Sequence, residues 1–192
     1  GHEPRAYHGE TPWEDVLRDF PNLDVMAVST PDHLHTPVIL AALENGTHVI
    51  TEKPMCLNMQ EADQIIEVAN VKGLVVGVDM HKRYDPDHLR VRDDVLRRIG
   101  DPVYGLAVLE EPLEVSTSTF KWVEDSDPFS YVGPHWTDLF WHYYHSKPVA
   151  LSAVGQKKRL IRDGIDVYDA VQVRVDYANG MSVHYHNNWI NP

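Results

Sequence analysis

The stretch from Asp24 to Pro54, DVMAVSTPDHLHTPVILAALENGTHVITEKP, permits few folds. Asp24 to Ser29 is an apolar run bounded by turn residues, the pattern of a strand buried on both faces of a parallel sheet. Thr36 is a candidate helix N-cap, with Pro37 at the first helical position where its missing N–H costs nothing. Ile39, Leu40, Ala42 and Leu43 give that helix its apolar face, and Asn45-Gly46 closes it. A second strand, His48 to Glu52, follows at once. Parallel strands joined by a helix cross over right-handed, so both carboxyl ends emerge on one sheet edge. Open sheets of this kind bind ligands at that edge. The loops Thr30-Pro31-Asp32-His33-Leu34-His35 and Glu52-Lys53-Pro54 are therefore neighbours on a ligand edge.

The flanking sequence extends the pattern. Gly1 to Gly9 shows no periodicity and reads as a loop, and the start Gly1-His2 without Met looks like a tag remnant. Thr11-Pro12-Trp13-Glu14 opens a short helix over 11–20 with the signature of a capping box, and Trp13, Val16, Leu17 and Phe20 share one face. Asn58 and Glu61 give a second capping box. The helix they open carries Ala62, Ile65, Ile66 and Ala69 at core spacing and ends at Lys72-Gly73. Leu74 to Met80 is a third apolar strand, so strands and helices alternate in the rhythm of an α/β domain.

From Asp85 the texture changes. Asp85-Pro86 caps a charged helix through Ile99, closed by Gly100, and Val103 to Glu110 alternates like a half-buried strand. Glu111 to Asp127 reads as a long polar loop holding Phe120 and Trp122, of the length that is often functional. An aromatic-rich helix is expected from Pro134 to Ser146. Strands are expected over Val149 to Gln156, Ala170 to Tyr177 and Met181 to Trp189, the last two joined through an Asn179-Gly180 hairpin turn. The expected fold class is α/β: a partial Rossmann-type parallel sheet over residues 1–84, followed by an α+β domain with a mainly antiparallel sheet over residues 85–192.

Charge narrows the partners. With 17 basic against 29 acidic residues the net charge is −12, and no basic cluster stands out beyond Gln156-Lys157-Lys158-Arg159. Binding to phosphate backbones needs concentrated positive charge, so no nucleic-acid partner is expected. The single cysteine, Cys56, excludes an intrachain disulfide framework and points to a cytoplasmic setting. No apolar run approaches the roughly 18 residues of a membrane helix, so no membrane association is expected. Twelve histidines include His33-x-His35, His142-x-x-His145 and His184-x-His186 at ligand-like spacing. No Cys or Asp/Glu cluster completes any of them, and a catalytic metal is not expected.

A lysine directly after a buried strand reads equally well as a solvated strand end or as a chemical group. The combination decides more: an apolar strand ending in Ser29 to His35, a helix, then Val49-Ile50-Thr51-Glu52-Lys53-Pro54 closely resembles the nucleotide-binding domain of the Gfo/Idh/MocA (glucose-fructose oxidoreductase / inositol dehydrogenase) family. The resemblance implies hydride transfer between NAD or NADP and a secondary hydroxyl of a sugar, inositol or related polyol, with Lys53 as the catalytic lysine. It implies that Ser29, Thr30, Pro31, His35, Glu52, Lys53, Pro54 and His81 meet the cofactor. Such a reaction needs a base for the hydroxyl proton, and a lysine serves when burial or nearby positive charge favours its neutral form.

A second motif, Tyr131-Val132-Gly133-Pro134-His135-Trp136-Thr137-Asp138, is similar to the family's D-x-G-x-H-x-x-D at Gly133, His135 and Asp138. Tyr131 stands where that pattern has its first aspartate, and a phenol supplies no negative charge at neutral pH. His135 is the expected proton relay beside Lys53, Asp138 shares its helix face, and Tyr131 is a candidate substrate contact. From the residues alone, His135 reads also as a helix-start histidine satisfied by backbone. Val78 to Pro86 resembles the segment joining the family's two domains, with His81 or Lys82 facing the cleft and Arg83 open to pairing with a neighbouring acid. No G-x-G-x-x-G occurs, so the family's first β-α-β portion is expected to be missing and this chain to be inactive alone; its sheet is expected to continue past Pro192. A homo-oligomer is implied by the family's pairing of sheet faces. The alternative is a non-catalytic binding or assembly protein that keeps the fold.

Overall fold

The structure, a computed structural model, describes residues 4–192, so the start read at Gly1-His2 lies outside the described residues. Two compact units divide after Asp79.

In the first unit, helix α1 (Pro12–Asp19) precedes strand β1 (Val25–Val28), helix α2 (His35–Glu44), strand β2 (His48–Thr51), helix α3 (Met59–Lys72) and strand β3 (Val76–Val78). The strands lie in the order β1-β2-β3, all parallel, with Val25 opposite His48 and Val49 opposite Val76. Two crossovers of the same hand and direction put α2 and α3 on one side of the sheet. There Trp13, Val28, Val38, Ile39, Ala42, Leu43, Val49, Ile65 and Ala69 form one core. The burial expected on both faces of β1 is therefore corrected: Val25 and Ile50, on the other face, are 52% and 49% exposed. A strand pattern reports apolarity, but the number of covering layers decides whether both faces are dry.

Two cap assignments also change. Thr11 makes no side-chain cap bond. The chain turns through Asp32–Leu34 and α2 begins at His35, so Thr36 lies inside the helix. Its hydroxyl donates instead to Glu61 Oε2 at 3.0 Å. At α3, Asn58 Oδ1 accepts from the Glu61 amide at 2.9 Å as expected, whereas the Glu61 carboxylate accepts from the Leu57 amide at 3.1 Å. Glu61 thus ties the starts of α2 and α3 together. Gly73 ends α3 in the left-handed conformation, and Ile66 is exposed rather than in the core.

The second unit opens with a turn over His81–Tyr84. The charged helix follows as α4 (Pro86–Arg90), a π-helical turn (Val91–Val95) and α5 (Leu96–Ile99). Then come β4 (Tyr104–Pro112), α6 (Pro128–Tyr144), β5 (Pro148–Gln156), β6 (Ala170–Tyr177) and β7 (Ser182–Asn191). The sheet order is β4-β7-β6-β5; β5, β6 and β7 pair antiparallel, and β4 joins β7 in parallel. Phe129, Trp136, Phe140 and Tyr144 of α6 pack on Ala107, Val173, Val175, Val183 and Tyr185 of the sheet's inner face. Helix α6 begins earlier than Pro134: Asp127 Oδ1 accepts from the Phe129 and Ser130 amides at 2.8 and 3.1 Å, with Pro128 at the first helical position. Pro134 lies within the helix.

A further core holds the far end of this unit: Val123, Leu160, Val167 and Trp189 are buried, with Phe120 and Tyr131 packed against them. The segment bearing Leu160 is fastened by one carboxylate. Asp169, buried, accepts from the amides of Lys158, Arg159 and Leu160 at 2.5, 2.7 and 2.8 Å. Burial favours its neutral acid, but those three donors outweigh it and hold the group below the ordinary carboxylate range. Asp169→Asn keeps the shape and loses the charge-assisted acceptor. A loss of about 2–4 kcal/mol in urea unfolding of this unit is expected at pH 7. A folded-state value below the unfolded one adds stability that is complete above the unfolded range and is lost as pH falls through the depressed folded value. The gap between wild type and variant should therefore close only in acid; a gap that is constant with pH would show that Asp169 acts through packing alone.

Candidate active site

The carboxyl edge of the first sheet is built from the ends of β1 and β2. Lys53 follows β2 directly, is 7% exposed, and its bond to Pro54 is cis. The Glu52 carboxylate accepts from the Lys53 amide at 3.3 Å, so it has a backbone partner in its own loop. One ring joins the loop after β1 to this one. His35, fully buried at the first turn of α2, places Nε2 2.8 Å from the Thr30 carbonyl oxygen and Nδ1 2.6 Å from the Pro54 carbonyl oxygen. Both oxygens only accept, so a ring protonated on both nitrogens donates to both, and a neutral tautomer to one. Beside it the Thr30 hydroxyl is buried with no hydrogen-bond partner. A buried hydroxyl left unmatched is costly, and it fits a ligand that brings a polar group to this edge. Ser29, Thr30, Pro31, His35, Glu52, Lys53 and Pro54 are thus gathered on two adjoining loops; His81 belongs to the second unit.

In the second unit, Tyr131, His135 and Asp138 lie at i, i+4 and i+7 along α6 and share one face. Because α6 starts at Pro128, all three sit within the helix rather than around its start. Gly133 leaves room for the Phe129 ring, whose nearest atom lies 2.7 Å from where a Cβ would stand. His135 is 8% exposed, and its ring meets that of His81 edge to face at 5.0 Å. Asp138 takes both prongs of Arg83: Nε donates to Oδ2 at 2.7 Å, and Nη2 to Oδ1. This bidentate pair docks the His81–Tyr84 turn on α6, and Arg83 finds its acid 55 residues along the chain. Hydrogen bonding to Asp138 raises Arg83 above its ordinary value.

Sequence reasoning missed the surroundings of Tyr131. The Phe120 and Trp122 rings stack at 4.5 Å, and Tyr131 meets them edge-on at 4.9 and 6.1 Å. Their spacing gave no periodic signal; the only hint was two large aromatics in a polar loop. Among the described residues no three His, Cys, Asp or Glu side chains form a group that could hold a metal ion.

Against known proteins, residues 4–80 match the family described as an oxidoreductase family with the NAD-binding Rossmann fold. Over these residues the chain is similar to the Gfo/Idh/MocA oxidoreductases. It is 35% identical over 91 residues to 1,5-anhydro-D-fructose reductase of Ensifer adhaerens, covering 47% of this chain and 27% of that protein. It is 32% identical over 96 residues to the scyllo-inositol 2-dehydrogenase (NAD(+)) of Bacillus subtilis, covering 50% of this chain and 28% of the relative. The matches thus span little more than a quarter of those curated relatives. The fold as a whole is shared with an inositol dehydrogenase homolog from Azotobacter vinelandii, solved with NADH and myo-inositol. That structure has a TM-score of 0.84 at 20% identity, over 94% of this chain and 49% of that one.

In this chain the His35 ring is a link that can be cut cleanly. His35→Ala removes the donor to two loop carbonyls and is expected to destabilise the first unit by about 2–4 kcal/mol in denaturant unfolding. It should also speed amide exchange through residues 52–54. Unchanged exchange there would show that the loops hold their places without the ring.

Proposed function

We propose that this chain is the catalytic-lysine part of an NAD(P)-dependent oxidoreductase that oxidises a secondary hydroxyl of a sugar, inositol or related polyol. The observation that carries this reading is Lys53, buried at the carboxyl edge of a parallel sheet and held in a loop that His35 joins to the neighbouring one. When bound, the nicotinamide supplies the hydride acceptor or donor. The residues present fit its site in one respect, the buried Thr30 hydroxyl that awaits a partner. Ser29, Thr30, Pro31, Glu52 and Pro54 would line the cofactor, with His35 holding their loops; His81 is the second unit's candidate cofactor residue. Lys53 takes the proton from the substrate hydroxyl, and His135 is the second unit's candidate proton relay. Tyr131 contacts a substrate hydroxyl, and Asp138 positions the turn that bears His81 by holding Arg83. By itself the chain is expected to turn over little, since no G-x-G-x-x-G is present to cradle a pyrophosphate.

The single free cysteine, Cys56, favours a cytoplasmic protein. No helix among the described residues is long and apolar enough to cross a membrane. A homo-oligomer is favoured by the outer face of the second sheet along its edge strand β4, where Tyr104 and Leu106 are 78% and 62% exposed and Val108 is exposed too. That face also suits a non-catalytic assembly protein, so binding and turnover must decide between the readings.

Two measurements do so. Nicotinamide mononucleotide, which needs no pyrophosphate cradle, should give saturation-transfer NMR signals with this chain at millimolar concentration, weakened severalfold by Thr30→Val. No signal at all would remove the cofactor assignment. In a protein carrying this chain with a complete dinucleotide fold, Lys53→Ala should lower kcat by about 10²–10⁴ while the thermal midpoint hardly moves. Unchanged kcat would remove Lys53 from the chemistry.

A further inference from the structure

The helical segment over 86–99 is fastened to α6 by polar side chains rather than by a core. No side chain of α4, the π-helical turn or α5 is buried, and Leu89, Val91, Val95 and Leu96 are half-buried. Histidines make its side-chain links to α6. His88 lies edge-on to the Trp136 ring at 5.8 Å and places Nδ1 2.8 Å from the Tyr143 hydroxyl oxygen. One turn on, Arg92 Nη1 stands 3.2 Å from His142 Nε2. These two links answer differently to a proton. Burial pushes the Tyr143 hydroxyl up to about 12, so it keeps its hydrogen, and a phenol both donates and accepts. His88 can therefore meet it neutral or charged. A guanidinium only donates, so His142 Nε2 is the acceptor, which requires the neutral ring with its hydrogen on Nδ1. Once protonated, His142 has no lone pair to offer and turns a cation toward Arg92. Around it stand Arg92 with its partner Asp93 from the segment, Arg83 from the His81–Tyr84 turn, and Asp138, Tyr143 and His145 on α6. Burial first, and then the two guanidiniums, hold His142 below the ordinary imidazole range; Asp138 opposes them but is paired with Arg83.

We propose that the Arg92–His142 contact is a proton-operated latch: neutral His142 holds the segment beyond Val91 down on α6, and its protonation in mildly acidic solution releases that part while His88 keeps the start of the helix in place. The backbone supplies a hinge where one is needed, because the π-helical turn lies between His88 and the end at Ile99, which is 63% exposed. The released imidazolium is itself well placed, since His142 lies in the last turn of α6, where the helix dipole favours a cation. With the folded value depressed, docking is complete above the ordinary imidazole range and is lost as pH falls through that depressed value. His142 follows His135 and Asp138 at i+7 and i+4 on one helix face, so the latch sets how far the carboxyl end of that face is covered. Every residue involved lies in the second unit, and the latch holds or fails independently of the oxidoreductase reading.

The test is amide hydrogen exchange on this chain at about pH 7.5 and about pH 5, on either side of the imidazole range, with each rate corrected for intrinsic exchange. At the lower pH, protection over residues 92–99 is expected to fall severalfold more than protection in β6 and β7. His142→Gln offers Arg92 a neutral amide oxygen at both pH values and should keep the segment protected at both. His142→Lys carries its charge at both, and the segment should lose protection already at neutral pH. Circular dichroism at each pH shows whether the variants are folded, and the glutamine variant decides the matter if the lysine variant is not. Wild-type protection over 92–99 that falls only in step with β6 and β7 overturns the latch. So does an equal local loss in His142→Gln, which would place the titration at His88, and so does a folded His142→Lys that stays fully protected.

Discussion

The imidazole of His35 is the physical link on which the arrangement of the candidate edge depends. Strands β1 and β2 are ordered by the core beneath them, and the ladder reaches only the first loop residue after β2, where the Glu52 amide donates to the Val28 carbonyl at 2.9 Å. His35 supplies the connection because it is at once the first residue of α2 and the ring between the Thr30 and Pro54 carbonyls. Its place is set by the helix, and the helix by Ile39, Ala42 and Leu43, which are fully buried. Glu61 adds a second fastening, accepting from Thr36 on α2 and from the Leu57 amide before α3. The position of Lys53 therefore follows from hydrophobic packing through a short chain of named contacts, a rigid support of the kind that site chemistry requires.

Much of the scaffold was legible along the chain. Local signals sufficed for α2, α3 and β6, where apolar spacing and closing Gly or Asn residues agree, and for the Asn179-Gly180 turn, where Gly180 takes a positive φ. They failed where a distant partner decides. Thr36 looks like a cap, yet its hydroxyl goes to Glu61 25 residues away. Arg83 and Asp138 choose each other across 55 residues, and Asp169 fastens a segment that carries no motif. The early start of α6 was readable: Asp127-Pro128 is the same cap-and-proline pair as Asp85-Pro86, and in both the Asp side chain accepts from the first amides. The one-sided first sheet was not readable, because strand composition does not count covering layers.

The candidate site divides in the same way. The places of Glu52-Lys53-Pro54 after a strand and of His135 along a helix are local properties. What they touch is not. The pairing of His81 with His135 and the stacking of Phe120 on Trp122 arise from tertiary contacts between segments or within an irregular loop, where no period exists to be read.

Tyr131 has consequences for the electrostatics of α6. An acid at that position would add a charge one turn from His135, and the helix already carries Asp138 on the same face. Asp138 is engaged by two guanidinium N–H groups of Arg83, so its charge is compensated locally and serves to hold a turn in place. With a phenol at 131, the Tyr131–Asp138 face presents two aromatic ring systems and a paired carboxylate in place of an open anion.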